Sequence, residues 1–190
     1  MDAGASPREG FPDRPSQEAG WWWFHIILTA YGAWLYGDAR GFRTRHHREH
    51  VEGDYKSPPP AGRYADQEAR SRKSLKHEPV SWPPEWRAVM GGALVARLQH
   101  LGAFVLCAAV NRQHVHIRAK VPRREARAWT GLAKRHAWFI ARAHGWVGKM
   151  WGKRGKQEPV RDRRHQVNVY RYILDHEKEG AWVRRWKKVE

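Results

Sequence analysis

The chain has 190 residues with 36 Lys and Arg against 19 Asp and Glu, a formal charge of +17, and it contains 12 Trp but one Cys. The length suits one compact domain with extensions, and the single Cys107 excludes an intramolecular disulfide framework and a zinc site built mainly on thiolates. The apolar stretch 21–36 is interrupted by His25, Thr29 and Gly32, so it is too short and too polar for a membrane span. The net acidic residues 1–20 do not resemble a secretory signal, and we expect a cytoplasmic protein.

Basic residues are concentrated toward the C-terminus. Residues 118–190 contain 21 Lys and Arg against 7 Asp and Glu, a net charge of +14. This asymmetry indicates a polyanionic partner, nucleic acid above all, because each neutralised phosphate releases counterions. Interleaved tryptophans are typical either of a core or of a surface that stacks on unpaired bases. They are Trp129, Trp138, Trp146, Trp151, Trp182 and Trp186.

The domain is predicted to occupy residues 21–178. Residues 1–20 lack apolar periodicity and are expected to be a disordered tail. Residues 32–80 are rich in Gly, Pro, His and mixed charge, which predicts an insertion with a short helix near 61–75. A basic C-terminal tail is predicted at 179–190.

Hydrophobic periodicity predicts six core elements and a last helix. In chain order they are a strand at 22–30, a helix at 84–100, strands at 103–110 and 113–121, a helix at 122–144, a short strand at 146–151 and, after a Gly- and Lys-rich loop at 152–160, a helix at about 163–178. This order is β-(insertion)-α-β-β-α-β plus a C-terminal helix. It predicts an α+β fold, a ferredoxin-like βαββαβ sandwich with an insertion after the first strand.

Two histidines stand at positions i and i+2 of the third predicted strand. His114 and His116 therefore point the same way, about 7 Å apart, and both imidazoles can reach one divalent cation. An isolated pair of this kind is also typical of two surface histidines, because a metal needs further ligands. Additional donors must therefore come from elsewhere in the chain.

The last helix supplies those donors. Tyr172 and His176 stand at i and i+4, so they share one helix face. Tyrosine can attack phosphorus when a cation polarises the phosphate, and a set of three histidines around Mg²⁺ or Mn²⁺ would meet that need. Tyr172 is also consistent with a packed aromatic residue. Tyr170 is the competing nucleophile, but its i+4 residue is Leu174, which cannot bind a metal.

These residues resemble a known family. Gln113-His114-Val115-His116-Ile117 and Tyr172-Ile173-Leu174-Asp175-His176 are similar to the two motifs of the HUH single-tyrosine transposases of the IS200-like type, relatives of the REP-associated tyrosine transposases. Residues 29–41 also resemble the opening T-Y-G-x-W-L-x-G-D-x-R-G segment of one branch. The resemblance spans roughly residues 21–178, and this chain differs from the simplest members in its insertion, its acidic tail and in having His176 where many have Gln.

The resemblance implies a ferredoxin-like, metal-dependent nuclease that binds DNA hairpins and cuts single-stranded DNA. It implies that Tyr172 becomes joined to a 5′-phosphate, with a free 3′-OH left to rejoin, and that His114, His116 and His176 hold the metal ion. It also implies a homodimer in which the tyrosine helix acts either in cis or in trans.

Four basic residues are candidate DNA contacts. Arg118 and Lys120 share the predicted strand face of the histidines and are expected to bind phosphate or simply to be solvated. Arg40 and Arg43 lie in a basic turn that is expected to line the path of the DNA strand, with an Asp38-Arg structural contact as the alternative. His46, His47 and His50 lack a supporting carboxylate or Cys pattern and are interpreted as part of a solvated insertion, or as DNA contacts.

Two rival functions stay open. One is a non-catalytic ferredoxin-like nucleic-acid-binding protein, whose binding would be unaffected by EDTA and by Tyr172→Phe. The other keeps the nuclease but gives it a host role, such as processing repeated chromosomal hairpins.

Overall fold

A computed structural model of the protein describes residues 20–40, 42, 59–153 and 155–186. The predicted N-terminal tail, apart from Gly20, lies outside the described residues, as do Arg43, His46, His47 and His50. Within the described part of the chain, no helix is both long enough and apolar enough to cross a membrane.

The domain is α+β, as predicted, and its described residues form a five-stranded antiparallel sheet and four α-helices. The strands are β1 (Trp21–Thr29), β2 (Phe104–Val110), β3 (His114–Pro122), β4 (Lys156–Pro159) and β5 (Trp182–Arg185). The helices are α1 (Ala65–Lys73), α2 (Pro84–His100), α3 (Ala126–Ala143) and α4 (Arg163–Asp175), and a 3-10 helix, His176–Glu179, continues α4. The strand order across the sheet is β4-β1-β3-β2-β5.

The two faces of the sheet bury different sets of side chains. On one face, alternate residues of β1 and β3, such as Phe24, Ile26, Val115 and Ile117, form the main core, to which α2 and α3 also contribute. On the other face, Val169 and Ile173 of α4 pack with Cys107 and Ala109 of β2 in a smaller apolar cluster. The sheet is therefore covered on both sides, and α4 lies on the face that carries the odd-numbered residues of β1 and the even-numbered residues of β3.

The prediction of the fourth strand was wrong. Residues 146–151 form an irregular segment with Gly148 at φ +87° and only an isolated bridge between Ala30 and Trp151. The real β4 lies in the segment assigned to a loop, where Lys156–Pro159 pairs with β1. Its sequence, Lys-Gln-Glu-Pro, is polar, as is common in edge strands. It therefore has no hydrophobic pattern that would predict a strand.

A fifth strand was also missed in the segment interpreted as a basic tail. Trp182–Arg185 pairs with Cys107–Val110 of β2. Trp182 packs on the main core, and Val183 packs on the smaller cluster, so one apolar side chain faces each side of the sheet. The strand has only four residues, two of which are Arg184 and Arg185, so the alternation is too weak to indicate a strand.

The insertion leaves and rejoins the domain at one place. Val80 N–H donates to the carbonyl of Tyr31 at 2.8 Å, so the two ends of the insertion lie side by side. Helix α1 confirms the predicted short helix, and it contains no buried residue. The insertion is therefore attached beside the end of β1 without contributing α1 to the core.

Candidate active site

The β2–β3 turn fixes where the first two histidines begin. Asn111 Oδ1 accepts hydrogen bonds from the backbone N–H groups of Gln113 (3.0 Å) and His114 (2.7 Å). This side-chain turn starts β3 at His114. Because Val115 and Ile117 face the main core, His114 and His116 project from the opposite face, toward α4. His116 and Arg118 are buried, so the alternative interpretation of two histidines on a solvated surface does not apply.

Helix α4 is positioned by its first residues and its apolar stripe. Asp162 caps the helix, with its side chain accepting from His165 N–H at 2.8 Å. Val169 and Ile173 then pack on β2. Since residues three and four apart share a helix face, this packing directs Tyr172 and His176 over β3.

The structure brings together the four residues that the two motifs nominate. The Tyr172 ring centroid lies 5.2 Å from that of His116 and 4.8 Å from that of His176, in edge-to-face geometry. The His116 and His176 rings are stacked at 4.8 Å, and His114 lies 6.3 Å from His116. Tyr172 is 49% exposed, whereas His116 and His176 are buried. The phenol is thus reachable from solvent, with the imidazoles beneath it.

Tyr170 occupies a different environment. Its ring packs against the apolar cluster formed by Cys107, Ala109, Val169 and Ile173. The position of Tyr170 is therefore that of a packing residue between α4 and the sheet.

His25 is a site residue that sequence reasoning missed. Its Nε2 lies 3.1 Å from Nδ1 of His116, in a buried contact, and its ring centroid is 6.0 Å from that of Tyr172. The signal was present, because a histidine in the middle of an apolar strand needs a polar partner. What the sequence did not give was the register, which pairs Ile27 with His116 and so makes His25 a diagonal neighbour of His116.

Burial favours the neutral form of three histidines of the site, His25, His114 and His116. Burial, and then the neighbouring His25, His176 and His114, lower the pKa of His116 to about 2. Burial also lowers the pKa of His25 to about 4, with Glu158 opposing that shift. The pKa of His114 is lowered by burial and by the charge of Arg40. Neutral imidazole is the form that binds a metal ion.

His176 carries the clearest sign of a missing partner. Its Nδ1 lies 3.0 Å from Oε2 of Glu179, while its Nε2 is buried with no hydrogen-bond partner. A carboxylate on one ring nitrogen, with the other nitrogen left over, is the arrangement common to metal-binding histidines. The donor chemistry therefore fits a divalent cation.

The present side-chain positions do not form a closed coordination sphere. Among the described residues, no three His, Cys, Asp or Glu side chains are arranged to hold one metal ion. The rings of His116 and His176 lie only 13° from parallel, so they must turn toward each other to share an ion.

The candidate DNA contacts are placed unevenly. Arg118 is 1% exposed, and its guanidinium donates to the backbone carbonyl (3.0 Å) and side-chain Oε1 (2.7 Å) of Gln166. It also lies 4.9 Å over the Trp23 ring, and burial lowers its pKa to about 10. This placement is structural and does not fit the expected phosphate contact. Lys120 lies further along β3, opposite Trp23 of β1 and Phe104 of β2.

Arg40 closes the turn that follows β1. It donates to both carboxylate oxygens of Asp38, at 2.8 and 2.5 Å, and to the carbonyl of Ala33 at 2.7 Å. Burial would raise the pKa of Asp38, but the hydrogen bonds and charge of Arg40 outweigh it and lower that pKa. The structure thus contains the Asp38–Arg40 contact that was the alternative to a DNA contact. The guanidinium also covers the exposed Trp34 ring, which lies 6.3 Å from the ring of His114.

No protein-family model matches the chain, and no curated protein matches it. A solved structure described as "Structure of the REP associates tyrosine transposase bound to a REP hairpin" is similar at a TM-score of 0.42 and 11% sequence identity. That similarity covers 84% of this chain and 68% of that chain.

Proposed function

We propose that this chain is a metal-dependent single-stranded DNA endonuclease and strand transferase, a transposase of the single-tyrosine HUH type on a ferredoxin-like core. One observation carries the proposal. The half-exposed phenol of Tyr172 stands 5.2 Å from the His116 ring and 4.8 Å from the His176 ring, measured between ring centroids. The order β4-β1-β3-β2 for strands joined as β-α-β-β-α-β supports the ferredoxin-like assignment.

His114, His116 and His176 are the proposed metal ligands. When bound there, a divalent cation would polarise the scissile phosphate and offset its charge. Of the two candidate ions, Mn²⁺ suits the site better, because Mg²⁺ demands oxygen ligands and imidazole favours transition metals. The orphaned Nε2 of His176 and the neutral state of His116 support this assignment.

Tyr172 is the proposed nucleophile. Its Oη attacks phosphorus, the bond between phosphorus and the 3′-oxygen breaks, and a 5′-phosphotyrosine forms. The phenol proton leaves to solvent on the exposed side of the ring, and the released 3′-oxygen takes up a proton to give a free 3′-OH. Attack of a 3′-OH on the phosphotyrosine reverses these steps and joins the strands.

We propose that the reaction occurs in cis. Tyr172 and the histidines of β3 meet within one chain, because α4 packs on its own β2. The homodimer expected from the family resemblance is then not needed to complete the site.

The proposed path for single-stranded DNA runs along an aromatic and basic groove of about 910 Å³. It is lined by Tyr31, Trp138, Trp146 and Trp151 together with Arg142 and Lys149. Tyr31 follows β1 closely and Thr29 is the register partner of His114, so the groove lies near the same end of the sheet as the site. Its tryptophans pack against the main core, so a strand must pass around this end of the sheet to reach Tyr172. Aromatic faces for bases and cations for phosphates are what single strands require.

The test is a search for a covalent adduct. Purified protein is incubated with labelled single-stranded DNA from the regions flanking its coding sequence, with Mn²⁺ or with EDTA, and the mixture is run on a denaturing protein gel. We expect a labelled protein band that depends on Mn²⁺, is lost in Tyr172→Phe and persists in Tyr170→Phe, the matched control on the same helix.

The opposite result would identify the rival function. Tight DNA binding without adduct or cleavage, unaffected by EDTA and by Tyr172→Phe, would make the chain a non-catalytic nucleic-acid-binding protein. An adduct formed on chromosomal repeat hairpins, in flanks without subterminal hairpins, would favour the host role over a mobile element.

A further inference from the structure

His25 and His116 form a buried imidazole pair that the proposed reaction does not yet use. The 3.1 Å contact joins Nε2 of His25 to Nδ1 of His116. Since Nδ1 of His116 is engaged, Nε2 is the ring nitrogen of His116 that remains for a metal ion. Whether His25 donates or accepts the shared proton therefore decides whether His116 can bind a metal ion.

We propose that His25 is a positioning residue that holds His116 in the tautomer protonated at Nδ1, so that His116 presents the lone pair of Nε2 to the metal ion. This inference rests on the proposed function, in which His116 is a metal ligand. It assigns a role to a residue of β1, a strand outside both sequence motifs.

The proton count leads to this tautomer. Two neutral imidazoles in contact share one hydrogen, which belongs either to His25 Nε2 or to His116 Nδ1. If His25 donates, the proton of neutral His116 must sit on Nε2, and no lone pair is left for a metal there. If His116 donates, its Nε2 is free to bind, and His25 must carry its own proton on Nδ1.

Glu158 favours the second arrangement. Its Oε2 lies 4.0 Å from Nδ1 of His25, on the side of the ring away from His116. A carboxylate there stabilises a proton on Nδ1 of His25, which leaves Nε2 as an acceptor. Lys156 also pairs with Glu158, which holds the carboxylate in place.

The register of three strands builds this line of groups. Glu158 of β4 is the direct partner of His25 of β1, and His25 is the diagonal neighbour of His116 of β3. Phe24 and Ile26 are buried in the main core on either side of His25, which fixes the direction of its side chain. The arrangement parallels the Glu179 contact that orients His176.

The experiment measures Mn²⁺ affinity in the full-length, metal-free protein by electron paramagnetic resonance, which counts unbound Mn²⁺ without any DNA or turnover. We expect His25→Phe, which keeps the ring volume but cannot accept a proton, to bind Mn²⁺ about 10- to 100-fold more weakly. His25→Gln places an amide oxygen near the position of Nε2 and should restore affinity to within about threefold of the original chain. His144→Gln, an exposed residue at the end of α3, serves as the matched control and should not change affinity.

A second measurement does not depend on any variant folding. Long-range ¹H–¹⁵N correlation spectra of the metal-free protein report the tautomer of each imidazole, and we expect both His25 and His116 to be protonated at Nδ1. A His116 protonated at Nε2, or a folded His25→Phe that binds Mn²⁺ normally, would overturn the inference.

Failure of the inference and failure of the proposed function are distinguishable. If the original chain binds Mn²⁺ and forms the Tyr172 adduct while His25→Phe binds Mn²⁺ equally well, only the role of His25 is lost. If the original chain binds no Mn²⁺, both fall together.

Discussion

Oε2 of Glu179 lies 3.0 Å from Nδ1 of His176, at the opposite end of the same 3-10 helix. This contact holds the proton of His176 on Nδ1 and leaves the buried Nε2 as the acceptor. We predict that Glu179→Ala weakens Mn²⁺ binding about 10-fold, because the ring loses the partner that fixes its tautomer. Titration of the metal-free protein checks this. Glu177→Gln removes a charge from the same helix without touching His176 and should bind Mn²⁺ normally; equal losses in the two variants would contradict the explanation.

Arg118 is predicted to stabilise the fold rather than to bind DNA. Replacing it with Met removes the donor to the buried Oε1 of Gln166 and a second donor to the Gln166 carbonyl, so we expect the free energy of unfolding to fall by about 1–3 kcal/mol. Urea denaturation measures this. In the same variant, the slope of log affinity for single-stranded DNA against log salt should not change.

Arg142 provides the comparison for that salt slope. It lines the aromatic groove and lies 5.1 Å over the Trp138 ring. Arg142→Gln should reduce the slope by about one while leaving stability nearly unchanged. Arg127 is an exposed residue outside the groove lining, and Arg127→Gln should change neither the slope nor the stability. If the Arg118 variant lowered the salt slope and the Arg142 variant did not, Arg118 would again be a candidate DNA contact.

Acid is predicted to destabilise the protein below about pH 6.5. His25 has an ordinary pKa of 6.5 and a pKa of about 4 in the fold, and His116 is shifted in the same direction. Because the unfolded chain takes up these protons first, the contribution is complete above pH 6.5 and is lost as the pH falls toward 4, at about 1.4 kcal/mol per pH unit for each histidine. Urea denaturation between pH 7.5 and 5 measures the effect before carboxylates titrate. His25→Gln should reduce the slope and His144→Gln should not; a stability that is flat over this range would refute the prediction.

Mixed variants test whether catalysis occurs in cis. Tyr172→Phe keeps all the histidines, and His116→Ala keeps the tyrosine. If each chain completes its own site, an equimolar mixture forms no adduct, because neither chain contains both groups. The adduct assay on the mixture and on each variant alone checks this, and an adduct seen only in the mixture would demonstrate catalysis in trans.

The sequence predicted those parts of the fold that have a strong hydrophobic period. Helix α2 begins and ends where the pattern placed it, at Pro84 and His100, because a proline in the first turn and a regular apolar face define it. The edge strands β4 and β5 escaped prediction since one is polar and the other has only Trp182 and Val183 to mark it. Edge strands are recognised through their partners, and partners are not visible in a single sequence.

The same distinction applies to the candidate site. The i, i+2 spacing of His114 and His116 and the i, i+4 spacing of Tyr172 and His176 are local, so they could be read directly. His25 and Glu158 required the register of β1 against β3 and β4, and the burial of Arg118 required knowledge of which face α4 covers. Local periodicity places side chains on a face, but only the tertiary contacts say whether that face is exposed.

The short strand β5 restrains how α4 can move. Strand β4, before α4, pairs with β1 at one edge of the sheet, and β5, after α4, pairs with β2 at the other edge. Both ends of α4 are therefore fixed to the sheet, at opposite edges. Trp182 helps to hold β5 in place, because its ring packs directly on Gly91 of α2, in the space that a Cβ at that position would occupy. Lifting Tyr172 away from the histidines would therefore require an edge strand to detach. In the proposed reaction, one DNA end must replace another at the phosphotyrosine. We expect the DNA to move in that step while Tyr172 stays in place.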